Sequence, residues 1–141
     1  MRNEREHNEQ KMVIVWCELN KKLYPCLDRI YAIANGGDRH LLVAMKLKKE
    51  GVKAGMLDLC LPWPLEFDQM DDIPLYFKCG LYVEMKALPK QPSKVSPKQK
   101  EWIKYLLAVG YEVHIAWSAD EAIRIIKNYV NSEETGWTDF Q

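Results

Sequence analysis

The stretch Gly80-Leu81-Tyr82-Val83-Glu84-Met85-Lys86 constrains this chain more than any other. Its residue types predict a strand, and side chains on a strand alternate between faces. Glu84 and Lys86, two apart, therefore share a face, with Met85 turned to the other. Upstream, Met56 to Leu61 predicts a second strand. If the two pair, Asp58 of Gly55-Met56-Leu57-Asp58 comes close to Glu84. Two carboxylates and an ammonium at one point of a sheet are costly to bury, because each charge must leave water. The same grouping binds a hard divalent cation and activates a water.

Around that pair, helices and strands can be read along the chain. Glu9 to Leu23 predicts a helix, with Met12, Val13, Val15, Trp16 and Leu19 as its apolar stripe and Pro25 as its stop. Ile30 to Ala34 predicts a short strand, ended by the turn signal Asn35-Gly36-Gly37. His40 to Glu50 predicts a helix, with Gly51 where a C-terminal glycine belongs. Pro62-Trp63-Pro64 breaks the next strand, and the residues up to Pro74 read as a long acidic loop. Leu75 to Lys86 supplies the strand bearing Glu84 and Lys86, and Ala87 to Val95 a loop beside it. Ser96, Pro97 and Gln99 spell a capped helix start, and Gly110 the helix end. Tyr111 to Trp117 alternates as a strand. Ser118 with Glu121 opens a last helix, whose buried side is Ala122, Ile123, Ile125, Ile126 and Tyr129. The prediction is a single α/β domain over residues 1–141, with its core at about 9–130. Its mixed sheet is flanked by helices, antiparallel at Asp58 and Glu84, and then crosses over through a helix to a parallel strand.

Hydrophobic content of 48% with 28% charged residues is ordinary for a soluble globular protein. No apolar run is long enough to span a bilayer, and Met1-Arg2-Asn3-Glu4-Arg5 lacks a following apolar signal core, so the expected location is cytoplasmic, with no membrane partner. Cys17, Cys26, Cys60 and Cys79 show neither a C-x-x-C pair nor zinc-finger spacing, and reduced thiols are expected. His7, His40 and His114 form no nucleophile–base set, and no phosphate-cradling P-loop or dinucleotide fingerprint occurs. A formal net charge of zero, taken alone, argues against nucleic acid, but its distribution matters more than its sum. Lys86, Lys90, Lys94, Lys98, Lys100 and Lys104 face Glu101 alone. Arg39, Lys46, Lys48, Lys49 and Lys53 face only Asp38 and Glu50. Two basic segments flanking the carboxylates predict phosphate contact.

The order of these pieces resembles the VRR-NUC family, the virus-type replication-repair nucleases of the PD-(D/E)XK superfamily. The residues that carry the resemblance are Asn35-Gly36-Gly37, Gly55-Met56-Leu57-Asp58, Gly80 to Lys86, Ser96-Pro97-Lys98-Gln99-Lys100-Glu101-Trp102, Gly110-Tyr111-Glu112-Val113 and Ser118-Ala119-Asp120-Glu121-Ala122. They span about Gln10 to Tyr129. Many members carry Pro-Asp at the first ligand, where this chain has Leu57-Asp58. The resemblance implies a restriction-endonuclease-like core and metal-dependent DNA cleavage. Asp58 and Glu84 would hold Mg²⁺ or Mn²⁺, and Lys86 would act on the attacking water and the phosphate. Gln99 would touch the water or Lys86, although its capping-box position accounts for it without chemistry. Glu9 would be the additional acidic metal ligand, with Glu6 as the alternative.

Asn35, Gly36 and Arg39 have two readings, a phosphate cradle and a plain turn into a helix. Lys90, Lys94 and Lys98, in the loop and helix start after Lys86, are candidates for DNA contact. Resemblance to stand-alone phage and bacterial members implies a structure-selective endonuclease of DNA repair. Its implied substrate is branched DNA such as a four-way (Holliday) junction, and its setting a bacterial or phage-infected cell. It also implies a homodimer, for which Trp63, Leu65, Phe67, Trp137 and Phe140 offer interface material. The rivals are a non-catalytic DNA-binding or scaffold module of the same fold and a sequence-specific restriction-type endonuclease.

Overall fold

Two paired strands, Leu59–Leu61 and Leu81–Met85, whose alternate side chains point into one core, organise the molecule. The computed structural model describes residues 4–34, 41–70 and 73–132, with 66–70 and 73–77 described by backbone alone. Its elements are α1 (Glu4–Asn20), β1 (Tyr31–Ala32), α2 (Leu41–Lys49), β2 (Leu59–Leu61), β3 (Leu65–Met70), β4 (Ile73–Lys78), β5 (Leu81–Met85), α3 (Pro97–Ala108), β6 (Glu112–Ala116) and α4 (Ala119–Val130). Single 3₁₀ turns occupy Pro25–Arg29 and Pro92–Lys94. Four strands form one mixed sheet in the order β1-β2-β5-β6. β2 runs antiparallel to β5, and β6 parallel to it after the α3 crossover. This is the expected α/β arrangement.

The sheet has two distinct faces. Leu81, Val83 and Met85 of β5, with Leu59 and Leu61 of β2, join Val13 and Cys17 of α1 and Ala119, Ala122 and Ile126 of α4 in one buried core. The intervening side chains of β5, Tyr82 and Glu84, turn to the opposite face, where α3 lies. Residues paired in a parallel ladder share a face, so Val113 and Ile115 stand beside Tyr82 and Glu84. Tyr82 and Tyr111 meet there edge to face, ring centres 5.1 Å apart. One face thus carries the core and the other carries the charges.

Several local expectations change in the fold. α1 begins earlier than read and ends at Asn20, whose amide Nδ2 donates to the Trp16 carbonyl at 2.8 Å. Of its expected stripe, Val13 is buried, while Met12, Val15 and Leu19 are exposed. The helix is apolar on two sides, and its docking on α4 selects the Val13–Cys17 side. The predicted strand at Met56 shortens to Leu59–Leu61, which leaves Asp58 at its threshold. The expected acidic loop is in fact a β3–β4 hairpin, with Met70 paired to Ile73 and Gln69 to Pro74. Ile73, Leu75, Tyr76 and Phe77 supply the β-forming residues that outweigh the acidic ones. The strand read as Leu75 to Lys86 divides at Cys79–Gly80 into β4 and β5. Trp63 and Leu65 turn to their own domain: Leu65 is buried in the core, and the Trp63 carbonyl accepts from the Tyr129 hydroxyl at 2.5 Å. The side chain of Phe67, together with Trp137 and Phe140, lies outside the described residues. α2 buries no side chain, so Leu41, Leu42 and Met45 remain exposed. All four cysteines are free, Cys79 alone being exposed.

Candidate active site

Asp58 reaches its position through backbone geometry. Its carbonyl accepts from the Ile33 N–H at 2.8 Å, one residue beyond β1. Extending the β2–β5 register by one residue sets Asp58 opposite Glu84. The Asp58 carboxylate Oδ2 then accepts from the Met85 N–H at 2.7 Å, the peptide between Glu84 and Lys86. Asp58, Glu84 and Lys86 are all buried, a rare state for three ionisable groups unless they are paired or hold a metal.

The loop before Asp58 is locked onto α3. Gly55 has φ +80°, and a Cβ added there would lie 2.6 Å from Lys98 Cβ and 2.7 Å from the Lys98 carbonyl carbon. Only glycine fits both that conformation and that approach. Trp102 adds a second tie, its indole N–H donating to the Ala54 carbonyl at 3.2 Å. In this way the helix start that carries Gln99 is held over the carboxylates.

Gln99 has two functions at once. It completes the capping box: its backbone N–H donates to Ser96 Oγ at 3.1 Å, and its Oε1 accepts from the Ser96 N–H at 2.9 Å. Its Nε2 donates to Glu84 Oε1 at 2.7 Å, and Lys86 Nζ lies 3.4 Å from Gln99 Oε1. Lys86 Nζ also pairs with Glu84 Oε1 at 3.3 Å. Capping and site contact therefore coexist in one residue.

The electrostatics leave a deficit of positive charge. Burial pushes the Glu84 carboxyl up from 4.5 to about 8, and the neighbouring Asp58 pushes the same way, while Lys86 opposes both. Glu84 Oε1 takes the contacts from Gln99 and Lys86, and Glu84 Oε2 is buried with no hydrogen-bond partner. Two carboxylates against one ammonium, with one oxygen unsatisfied, fit a divalent cation: hard oxygen donors and a missing positive charge. Among the described residues no third His, Cys, Asp or Glu joins Asp58 and Glu84 in a metal-holding group. The Glu9 carboxylate accepts from the Ala119 N–H, the first residue of α4, and so caps that helix. Glu6, one turn earlier, is the buried acidic residue of α1.

The remaining candidates are scattered. Asn35, Gly36 and Arg39 lie outside the described residues. Lys90 is exposed and pairs with Glu121 of α4 at 3.5 Å. Lys94 is half-buried in its 3₁₀ turn, and Lys98 is exposed on the first turn of α3. His114 pairs with Glu112 at 3.4 Å, away from the α3 face. The sequence reading had missed three features: the Met85 N–H as the anchor of Asp58, the ties from Gly55 and Trp102, and Glu9 as the cap of α4. Gly55, three residues before a candidate ligand, was the one local signal for any of them.

The fold is of the PD-(D/E)XK type. The chain belongs to the VRR-NUC domain family, whose model matches residues 1–120. It is similar to a solved structure described as a VRR_NUC domain protein, at 26% identity and a TM-score of 0.66, over 92% of this chain and 90% of that one. A comparison with curated proteins found no match. Membership gives the chain a nuclease-type function with DNA as its substrate. No described helix is long and apolar enough to cross a membrane.

Proposed function

We propose that the protein is a Mg²⁺- or Mn²⁺-dependent endonuclease that hydrolyses phosphodiester bonds in branched DNA. The observation that carries this reading is the buried Asp58–Glu84 pair, whose Glu84 Oε2 has no partner. When bound, the cation polarises a phosphoryl oxygen and makes the attacking water more acidic. Asp58 and Glu84 would hold it. Asp58 is kept in place by the Met85 N–H, and Glu84 by the Gln99 amide. As water adds to phosphorus and the bond to the leaving oxygen breaks, negative charge grows on the phosphoryl oxygens. The Lys86 ammonium, aimed by Glu84 and Gln99, meets that charge in a site largely closed to water. A scaffold role alone would favour losing this costly cluster of buried charge, so an intact Asp58, Glu84 and Lys86 weighs against it.

Lys90, Lys94 and Lys98, with Asn35, Gly36 and Arg39, form the DNA-contacting set in this reading. Contacts of this kind fix position on the backbone without reading bases, which suits recognition of shape rather than sequence. A four-way junction needs two symmetric incisions, hence a two-fold dimer. The row formed by Met12, Val15 and Leu19 of α1 with Leu23 of the following turn, each at least 55% exposed, is the surface for the second copy, because an isologous contact covers the same apolar row twice. Light scattering should give twice 16.5 kDa, and Leu19→Glu should return the protein to one copy. A mass of one copy in the unsubstituted protein would remove the dimer.

Duplex, flap, fork and four-way-junction DNAs, assayed with and without Mg²⁺ or Mn²⁺, test the whole reading. Cleavage should need the cation and favour branched over linear DNA. It should vanish in Asp58→Ala and Glu84→Ala, which should also weaken Mn²⁺ binding in calorimetry. Cation-independent cleavage, or undiminished cleavage in either variant, would overturn it.

A further inference from the structure

Beside the carboxylates, on the same face of the sheet, the structure holds a second feature. Glu84 pairs with Ile115 in the β5–β6 ladder, and the Lys86 N–H donates to the Ala116 carbonyl at 2.8 Å. Trp117 therefore follows at the level of Lys86, about 4.8 Å away across one strand spacing. Between this strip, one flank of α3 and the segment after Lys86 lies an open cleft of about 550 Å³. Its walls are apolar, including Val95, Ile103, Ile115 and Trp117, and its rim carries Lys100 and Lys104, one turn apart on α3. That volume lies in the usual range for small-ligand sites.

We propose that this cleft takes an unpaired nucleobase of the DNA substrate, with a flanking phosphate on Lys100 and Lys104. The inference rests on the nuclease reading and narrows its substrate to DNA whose pairing is interrupted beside the scissile phosphate. A base offers a flat, largely apolar face joined to an anionic backbone. The cleft offers the complement, an indole-containing apolar wall under a rim of two ammonium groups. A purely apolar peptide would leave both lysines unused, and a free phosphate would leave the apolar wall unused. A base inside a duplex is stacked on both faces and cannot enter, whereas one at a branch point can be released. Ile115 and Trp117 of the cleft wall stand beside Glu84 and Lys86 in the sheet register, so the held base belongs to a nucleotide close to the cleaved bond.

Binding in EDTA, read by fluorescence anisotropy, tests this without reliance on cleavage. The probes are a duplex with a short single-stranded extension and the same duplex with abasic sites in that extension. The unsubstituted protein should prefer the base-bearing probe by roughly tenfold, the size of one stacked base. Ile103→Trp, which fills the cleft, should erase that preference. Lys104→Ala, at an exposed position that leaves the core alone, should weaken both probes and lower the salt slope by roughly 0.7. Equal affinity for the two probes would overturn the proposal. So would a preference that survives in folded Ile103→Trp, or an unchanged salt slope in Lys104→Ala. Cleavage with Mg²⁺ or Mn²⁺ is scored separately. Its absence speaks against the nuclease reading and leaves the binding result to judge the cleft.

Discussion

Replacing Glu84 with Gln should stabilise the cation-free protein, and only above mildly acidic pH. The Glu84 carboxyl rises from 4.5 to about 8 in the fold, first because it is buried and second because Asp58 lies beside it. Below pH 4.5 the folded and unfolded chains both hold this proton, and there is no penalty. Between 4.5 and 8 the unfolded chain releases it while the fold retains it, so each pH unit costs the cation-free fold ~1.4 kcal/mol. Above 8 the penalty levels off on the order of 5 kcal/mol. For a domain of this size that is a drop in Tm of roughly 10–20 °C between the two ends of the window. Glu84→Gln should remove most of this slope, because an amide has no proton to release in this range. Thermal melts of both proteins in EDTA, from pH 5 to pH 8.5, measure the difference, and groups that titrate elsewhere cancel in the comparison. Added Mn²⁺ should recover the stability of the unsubstituted protein at pH 8 and leave Glu84→Gln nearly unmoved. Parallel curves for the two proteins across the window would refute the buried carboxylate pair as the source of the deficit.

Lys86→Ala should lower single-turnover cleavage by ~10² to 10³ while Mn²⁺ binding persists, because the ammonium acts on developing charge; an unchanged rate would remove it from the mechanism. Gly55→Ala combines a positive φ with contacts under 3 Å to Lys98. It should destabilise the fold by at least ~1–2 kcal/mol in urea melts and slow turnover by shifting Gln99; a neutral melt would show that the loop and α3 yield freely. Neutralising Lys90, Lys94 and Lys98 together should flatten the salt dependence of duplex binding by roughly 0.9 per lost phosphate contact, and an unchanged slope would reduce them to solvated charges.

The grouping of Glu84, Lys86 and Gln99 in the candidate site is legible in the chain alone, because its geometry is local. Glu84 and Lys86 share a face through strand periodicity, and Gln99 sits at N3 of a capping box spelled by four residues. What escaped was long-range or ambiguous in phase. Glu9 caps α4 at Ala119, a partner 110 residues away that no local pattern announces. α1 carries apolar residues on two sides, and periodicity cannot choose between them until α4 docks. The β3–β4 hairpin was hidden by Glu66, Asp68, Asp71, Asp72 and Pro74, residues that signal a loop when taken singly. The apolar cleft escaped for the same reason as the Glu9 cap: it exists only once α3 has crossed over β6.

The double engagement of Gln99 restricts which residues can occupy its position. A capping box at N3 accepts Glu as readily as Gln, so helix stability alone would let the two interchange. Beside Glu84 they are not equivalent. Glutamate would replace the Nε2 donor with a third carboxylate facing an acid that already lacks neutralisation. Drift at position 99 is thus confined from two directions. The helix start asks for an acceptor, and the neighbouring carboxylate asks for a donor on the same short side chain. Gln carries both at N3, whereas Asn offers the same groups one methylene short of them.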